Sequence, residues 1–376
     1  MTPTPAQRLA LRKRCPLVVP GFDVPDAAGE FRQLADWCAR QGLDHDVYGQ
    51  GELVEGFERK IAALLGKPAA AFMPSGVMAQ LIAVRLWTES ARLDRFGMHP
   101  TSHLALHEEQ AFAALLRLHG VPVGERLRPM TAADLEAVAQ PLACAIVELP
   151  IREAGGRLPA WDELEALKAA ARARGVPLHM DGARLWESAA FYARPYAEIA
   201  AGFDSVYVSL YKGIGSFSGA MLAGEAAFVA QARLWRKRMG GTAYHMSPVV
   251  AAAAMRFDER IALMPALYRR TLAFADALRR LPRLRVDPPV PQANLLHLHV
   301  DAPAEAVLQA RDALAEEAGC WLFDNVRPTD VPGWSVTEIY IGDRLLALDD
   351  ARIGAAFERL VASLPAASVP PPGSAP

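Results

Sequence analysis

Apolar residues fall at helical spacing over residues 31–40 and again over 53–65, where Gly66-Lys67-Pro68 stops the second run. Beyond that stop the pattern changes to short apolar runs alternating with longer periodic ones. Residues 69–73 predict a buried strand and 77–87 the helix after it. Residues 104–106, 143–149, 176–180, 205–210 and 220–223 predict further strands, with an amphipathic helix over 161–174. Strand–helix alternation of this kind predicts a mainly parallel sheet covered on both faces, an α/β domain. After residues 233–241 the texture shifts. Helices are expected over 249–255, 261–281, 303–318 and 350–364, with short strands at 294–300 and 338–341, which makes a small C-terminal α+β unit. The expected division is an N-terminal segment 1–43, a large domain 44–255, a small domain 256–364 and a disordered Pro/Ala/Ser tail 365–376.

With 52% hydrophobic and 22% charged residues, the 376-residue chain has material for a substantial core. A net charge of −2 gives no footing for nucleic acid, and no window is apolar for long enough to span a bilayer. Cys15, Cys38, Cys144 and Cys320 are scattered without metal-ligand or disulfide spacing, as expected of reduced thiols in a cytoplasmic protein.

Two segments carry the chemistry. In Val176-Pro177-Leu178-His179-Met180-Asp181-Gly182-Ala183-Arg184, an apolar strand ends in a carboxylate followed by glycine and a cation. In Ser205-Val206-Tyr207-Val208-Ser209-Leu210-Tyr211-Lys212-Gly213-Ile214-Gly215, another strand ends in a lysine among glycines. Ligands of open α/β sheets bind outside the carboxyl ends of the strands, where both residues belong. A lysine amine and a carboxylate facing one ring suit pyridoxal 5′-phosphate (PLP). The amine would form the Schiff base, and the carboxylate would keep the pyridine nitrogen protonated. The structural alternative is a local Asp181–Arg184 ion pair with Lys212 on a solvated loop.

Met73-Pro74-Ser75-Gly76-Val77 opens a helix, and its amides, with the Ser75 hydroxyl, could cradle the cofactor phosphate. His99, His103 and His107 are spaced four apart, which on one helix would allow a metal site. Pro100 and the strand pattern at 104–106 argue against that helix, leaving one histidine to lie on the cofactor ring; no metal is expected.

These stretches resemble the threonine aldolase / β-eliminating lyase family of fold-type I PLP enzymes, over residues 44–364. The matches are Asp46-Val47-Tyr48-Gly49, Pro74-Ser75-Gly76, His103 with Glu108, His179 to Arg184, Lys212 to Gly215, and Trp235-Arg236-Lys237 with Gly240-Gly241. The resemblance implies an aminotransferase-like large domain with a mainly parallel seven-stranded sheet and a small C-terminal domain. It implies Lys212 as the Schiff-base lysine, Asp181 as the pyridine partner and Arg184 near the 3′-oxygen. His103 would stack on the ring, Gly76 and Val77 would hold the phosphate, and Tyr48 would reach a neighbouring subunit's site. Homodimers or homotetramers with interfacial sites are implied, as is aldol cleavage of a β-hydroxy amino acid to glycine and an aldehyde.

The chain also departs from the family. Leu149-Pro150-Ile151-Arg152-Glu153 lacks the histidine usual near the substrate hydroxyl, Tyr211 stands where serine is usual, and Tyr244 replaces an arginine. Glu338 occupies the place of the arginine that binds the substrate carboxylate, which would suit a cationic substrate group. The expected activity is that of a PLP-dependent lyase acting on an amino acid or amine. The alternatives are other PLP chemistry (β-elimination, decarboxylation or transamination), a non-catalytic PLP-binding protein, or a histidine-metal hydrolase.

Overall fold

The computed structural model describes residues 4–23 and 25–366. Most of the expected tail lies outside them. The chain forms two units. One contains the residues between Asp23 and Ala154 together with Arg157–Met264; the other contains the chain up to Asp23, Ala154–Gly156, and the chain from Pro265 onward.

The first unit is built on a seven-stranded sheet in the order Ala69–Met73, Ala220–Gly224, Ser205–Ser209, Leu178–Gly182, Ala145–Glu148, Arg95–Met98, His119–Pro122. The five strands from Ser205–Ser209 to His119–Pro122 are parallel. Ala220–Gly224 and Ala69–Met73 are joined by antiparallel pairing. The sheet is the mainly parallel one expected. Two of its strands are not apparent from apolar pattern. Arg95-Phe96-Gly97-Met98 is short and carries a glycine, and His119-Gly120-Val121-Pro122 is an edge strand, where proline is tolerated. The predicted strand over 104–106 is instead a helical turn, His103–Leu106, begun after Ser102. Three residues give too little periodicity to separate the two conformations.

Helix Gly76–Ala91 is buried along most of its length. Ile82 and Ala83 pack with Met73, Leu222 and Val229, while Leu81 and Val84 pack with Phe96, Leu104 and Ile146. A helix apolar on nearly all sides belongs in an interior. A polar side chain on it must therefore find its partner inside the protein.

The second unit has a four-stranded antiparallel sheet, ordered Arg327–Pro328, Ser335–Tyr340, Leu295–Val300, Leu284–Asp287. Helices Ala304–Ala318 and Asp350–Ser363 pack on it through Val307, Leu314, Phe357 and Leu360. Residues 1–43 do not form a separate segment. Leu17 and Val18 pair in parallel with Cys320 and Trp321, and Arg8 bonds Asp312 at 2.9 Å, so residues 4–23 belong to this unit. The helices expected over 249–255 and 261–281 are one, Ser247–Leu278. The charged stretch Arg256 to Arg260 interrupts its apolar pattern without interrupting its backbone. The division between units falls within this helix, at Pro265, rather than at residue 255.

Candidate active site

Asp181 ends its strand almost fully buried. Its Oδ1 accepts from the Ala183 amide at 3.0 Å and its Oδ2 from Gln80 Nε2 at 2.5 Å. Burial raises the Asp181 carboxyl, while Lys212, the Ala183 amide and His103 work the other way. The next strand leads to Lys212. Ser209 Oγ accepts from the amides of Tyr211 and Lys212 at 3.3 and 3.2 Å, which turns the chain so that the lysine follows the strand end closely. Arg256 bonds the Gly215 carbonyl at 2.7 Å and Glu30 at 2.6 Å, holding the loop that follows. Burial, and then the nearby Arg184 guanidinium, lower the Lys212 pKa. Lys212 is half-buried.

Ser75 caps helix Gly76–Ala91, its hydroxyl accepting from the Met78 amide at 3.2 Å. The amides of Gly76 and Val77 then remain as first-turn donors that the helix itself cannot satisfy. Gly76 is required by space. A Cβ there would lie 2.2 Å from the Tyr207 hydroxyl, which is hydrogen-bonded to Tyr211. Ser218, donating to the Pro74 carbonyl at 2.5 Å, braces the same turn.

The three histidines do not share one centre. His99 is buried and bonds Thr101 and the carbonyls of Glu125 and Arg128. His103 Nδ1 bonds Glu108 at 2.9 Å, and His107 Nε2 bonds Glu153 at 2.9 Å. Among the described residues no group of three or more His, Cys, Asp or Glu side chains could hold a metal ion. The half-buried His103 and the buried Glu108 belong with Asp181, whose charge both of them influence. Arg184 lies 3.9 Å from buried Glu187.

Tyr48 is exposed, packs edge-on to Tyr244 at 5.2 Å, and borders an open cavity of about 1080 Å³ lined also by Gln50, Arg59, Arg233 and Arg236. Glu338 belongs to the other unit. It is the cross-strand partner of His297, with 4.0 Å between His297 Nε2 and its Oε2.

Of the buried polar residues around Asp181, Gln80 and Glu148 lie outside the sequence motifs, and His179 lies inside one that assigns it no role. Gln80 sits one turn after Gly76, and its polarity on an apolar helix is the signal that could have found it. His179 is two residues before Asp181 and so on the same strand face. Glu148, the register partner of Asp181 on the neighbouring strand, gives no signal, because the pairing of those strands is not local.

A carboxylate and a lysine on adjacent strand ends of a mainly parallel sheet, beside a glycine-led helix N-terminus, define the architecture of fold-type I PLP enzymes. The chain belongs to the beta-eliminating lyase family, whose model matches residues 29–301. It is a lyase of the threonine aldolase type. It is similar to a Listeria monocytogenes protein provisionally described as an L-allo-threonine aldolase, with 33% identity, 94% and 98% of the two chains covered, and a TM-score of 0.89. An Exiguobacterium protein, provisionally an aromatic amino acid beta-eliminating lyase/threonine aldolase, is 35% identical over 94% and 99% of the chains, with a TM-score of 0.88. A probable low-specificity L-threonine aldolase 2 of Arabidopsis thaliana is 28% identical over 73% of this chain and 79% of its own.

Proposed function

We propose that this chain binds PLP through Lys212 and cleaves the Cα–Cβ bond of a β-hydroxy amino acid, releasing glycine and an aldehyde. The observation that carries this is the Asp181–Lys212 pair, a buried carboxylate next to an amine whose proton is held less tightly than usual. The residues suit the cofactor. A desolvated lysine beside a second cation has more of the neutral amine that attacks a carbonyl. Among the described residues, Glu108 Oε2 and Glu148 Oε2 are buried without a hydrogen-bond partner, so polar atoms near Asp181 still lack partners. Ser75 caps only the Met78 amide, so the first-turn amides of Gly76 and Val77 are available to a phosphate.

When bound, PLP supplies a ring that accepts the electrons of a broken Cα bond. Asp181 would hold a proton on the pyridine nitrogen, and Gly76, Val77 and Ser75 would hold the phosphate. Arg184 would bind the 3′-oxygen. His103 would offer its ring face, its Nδ1 held by the Glu108 carboxylate. Tyr48, exposed beside its cavity, would reach the site of a second copy in a homodimer or homotetramer. The test is absorbance of PLP-loaded protein. A visible band that borohydride abolishes is expected in the wild type and not in Lys212→Ala. A Lys212→Ala protein that keeps a reducible band would overturn the assignment.

A further inference from the structure

Behind Asp181 lies a continuous series of buried hydrogen bonds. Trp87 Nε1 donates to Ser205 Oγ at 2.9 Å, and Ser205 Oγ is 2.8 Å from His179 Nδ1. His179 Nε2 is 2.7 Å from Gln80 Oε1, and Gln80 Nε2 reaches Asp181 Oδ2. Ser205, His179 and Gln80 are each at most 1% exposed, so none of these side chains can turn to solvent for a partner.

The direction of the series follows from its ends. An indole N–H only donates, so Ser205 accepts from Trp87 and has its own proton to give to His179 Nδ1. The neutral imidazole then carries its proton on Nε2 and donates to the Gln80 carbonyl. That turns the Gln80 amide NH₂ toward Asp181, which suits an ionised carboxylate. The opposite polarity leaves the Ser205 proton without a partner in the series and points the Gln80 carbonyl at Asp181, where only a protonated carboxyl could donate to it. Burial also pushes the His179 pKa down to about 3, so the ring stays neutral.

We propose that Gln80 and His179 are positioning residues that keep Asp181 ionised and aimed at the cofactor, with the tautomer of His179 set by the charge on Asp181. The proposal rests on Asp181 being the pyridine partner, and it needs no contact of either residue with substrate.

The experiment combines ¹⁵N NMR of histidine-labelled full-length protein, with and without PLP, with PLP binding by wild type, Gln80→Leu and Ser205→Ala. The His179 signal is expected to show the Nε2–H tautomer in both states, without titrating from pH 5 to 9. Gln80→Leu should weaken PLP binding about tenfold or more, the scale of one lost hydrogen bond to a charge. Ser205→Ala keeps the Gln80–Asp181 contact. It should bind PLP within about threefold of wild type, and His179 should keep the Nε2–H tautomer, because Gln80 Oε1 still faces Nε2. An Nδ1–H tautomer in wild type, or a folded Gln80→Leu protein with wild-type PLP affinity, overturns the proposal. Should Gln80→Leu fail to fold, the wild-type and Ser205→Ala tautomers decide. If the wild type itself does not take up PLP, the proposed function fails, while the tautomer of the unliganded protein still tests the series.

Discussion

Glu148 and Asp181 are register partners on adjacent parallel strands, so two buried carboxylates stand side by side at the carboxyl edge of the sheet. Two desolvated like charges cannot both be retained cheaply. Burial and then Asp181 push Glu148 up to about 8, against a pull from the Arg152 amide that bonds its Oε1 at 3.2 Å. Asp181 is also raised by burial, but it has Gln80, the Ala183 amide and Lys212 on its side. Glu148 therefore takes the proton and Asp181 keeps the charge.

A pH dependence of stability follows. Between an unfolded pKa of 4.5 and a folded value of about 8, Glu148 holds its proton in the folded state and releases it on unfolding. The unfolded chain then binds fewer protons, so stability falls as pH rises through that window, by up to about 1.4 kcal/mol per pH unit. Urea unfolding of unliganded protein from pH 5 to 8 should show this slope and should show it reduced in Glu148→Gln. Identical slopes in the two proteins would remove the assignment.

Asp181→Asn should still bind PLP and lose most lyase activity. An amide can accept from Gln80 but cannot hold a proton on the ring nitrogen, where negative charge develops during the reaction. Turnover by this variant within a few-fold of wild type would count against the electronic role.

Gly76→Ala should destabilise the protein by about 1–3 kcal/mol, the usual cost of overpacking, and should weaken PLP binding with it. Its Cβ would meet the Tyr207 hydroxyl, and Tyr207→Phe should rescue the variant in part, since the ring carbon beyond lies at 2.8 Å. Melting temperatures of the two single variants and the double variant provide the check. Equal melting of wild type and Gly76→Ala would show that the turn has room to spare.

L-Threonine and L-allo-threonine are expected to be poor substrates. The family resemblance puts Glu338 where an arginine binds the substrate carboxylate, and no histidine stands in Leu149–Glu153. Without that arginine the α-carboxylate loses two parallel charge-assisted bonds. Loss of an acid/base group at the hydroxyl typically costs about 10²–10⁴-fold. Direct assay of glycine and acetaldehyde is the measurement. Turnover of about 1–10³ per second would restore ordinary threonine specificity.

The parts of the site written within one short stretch are legible in the amino-acid sequence. Asp181 and Lys212 each end a contiguous apolar strand, and Ser75-Gly76 opens a helix, so local periodicity alone locates all three. Most of the sheet is readable for the same reason. Local pattern fails where an element is too short to show a period, as at residues 104–106, 95–98 and 119–122. It fails also where membership depends on a distant partner, as when Leu17 pairs with Cys320. What surrounds Asp181 is of this second kind. Gln80 lies 101 residues away and Glu148 on another strand, and no periodicity joins them to it. The amino-acid sequence by itself determined which residues could do the chemistry, because strand ends and helix starts are local events. Only the tertiary structure decided which carboxylate keeps its charge, because that depends on burial and on which donors long-range packing brings within reach.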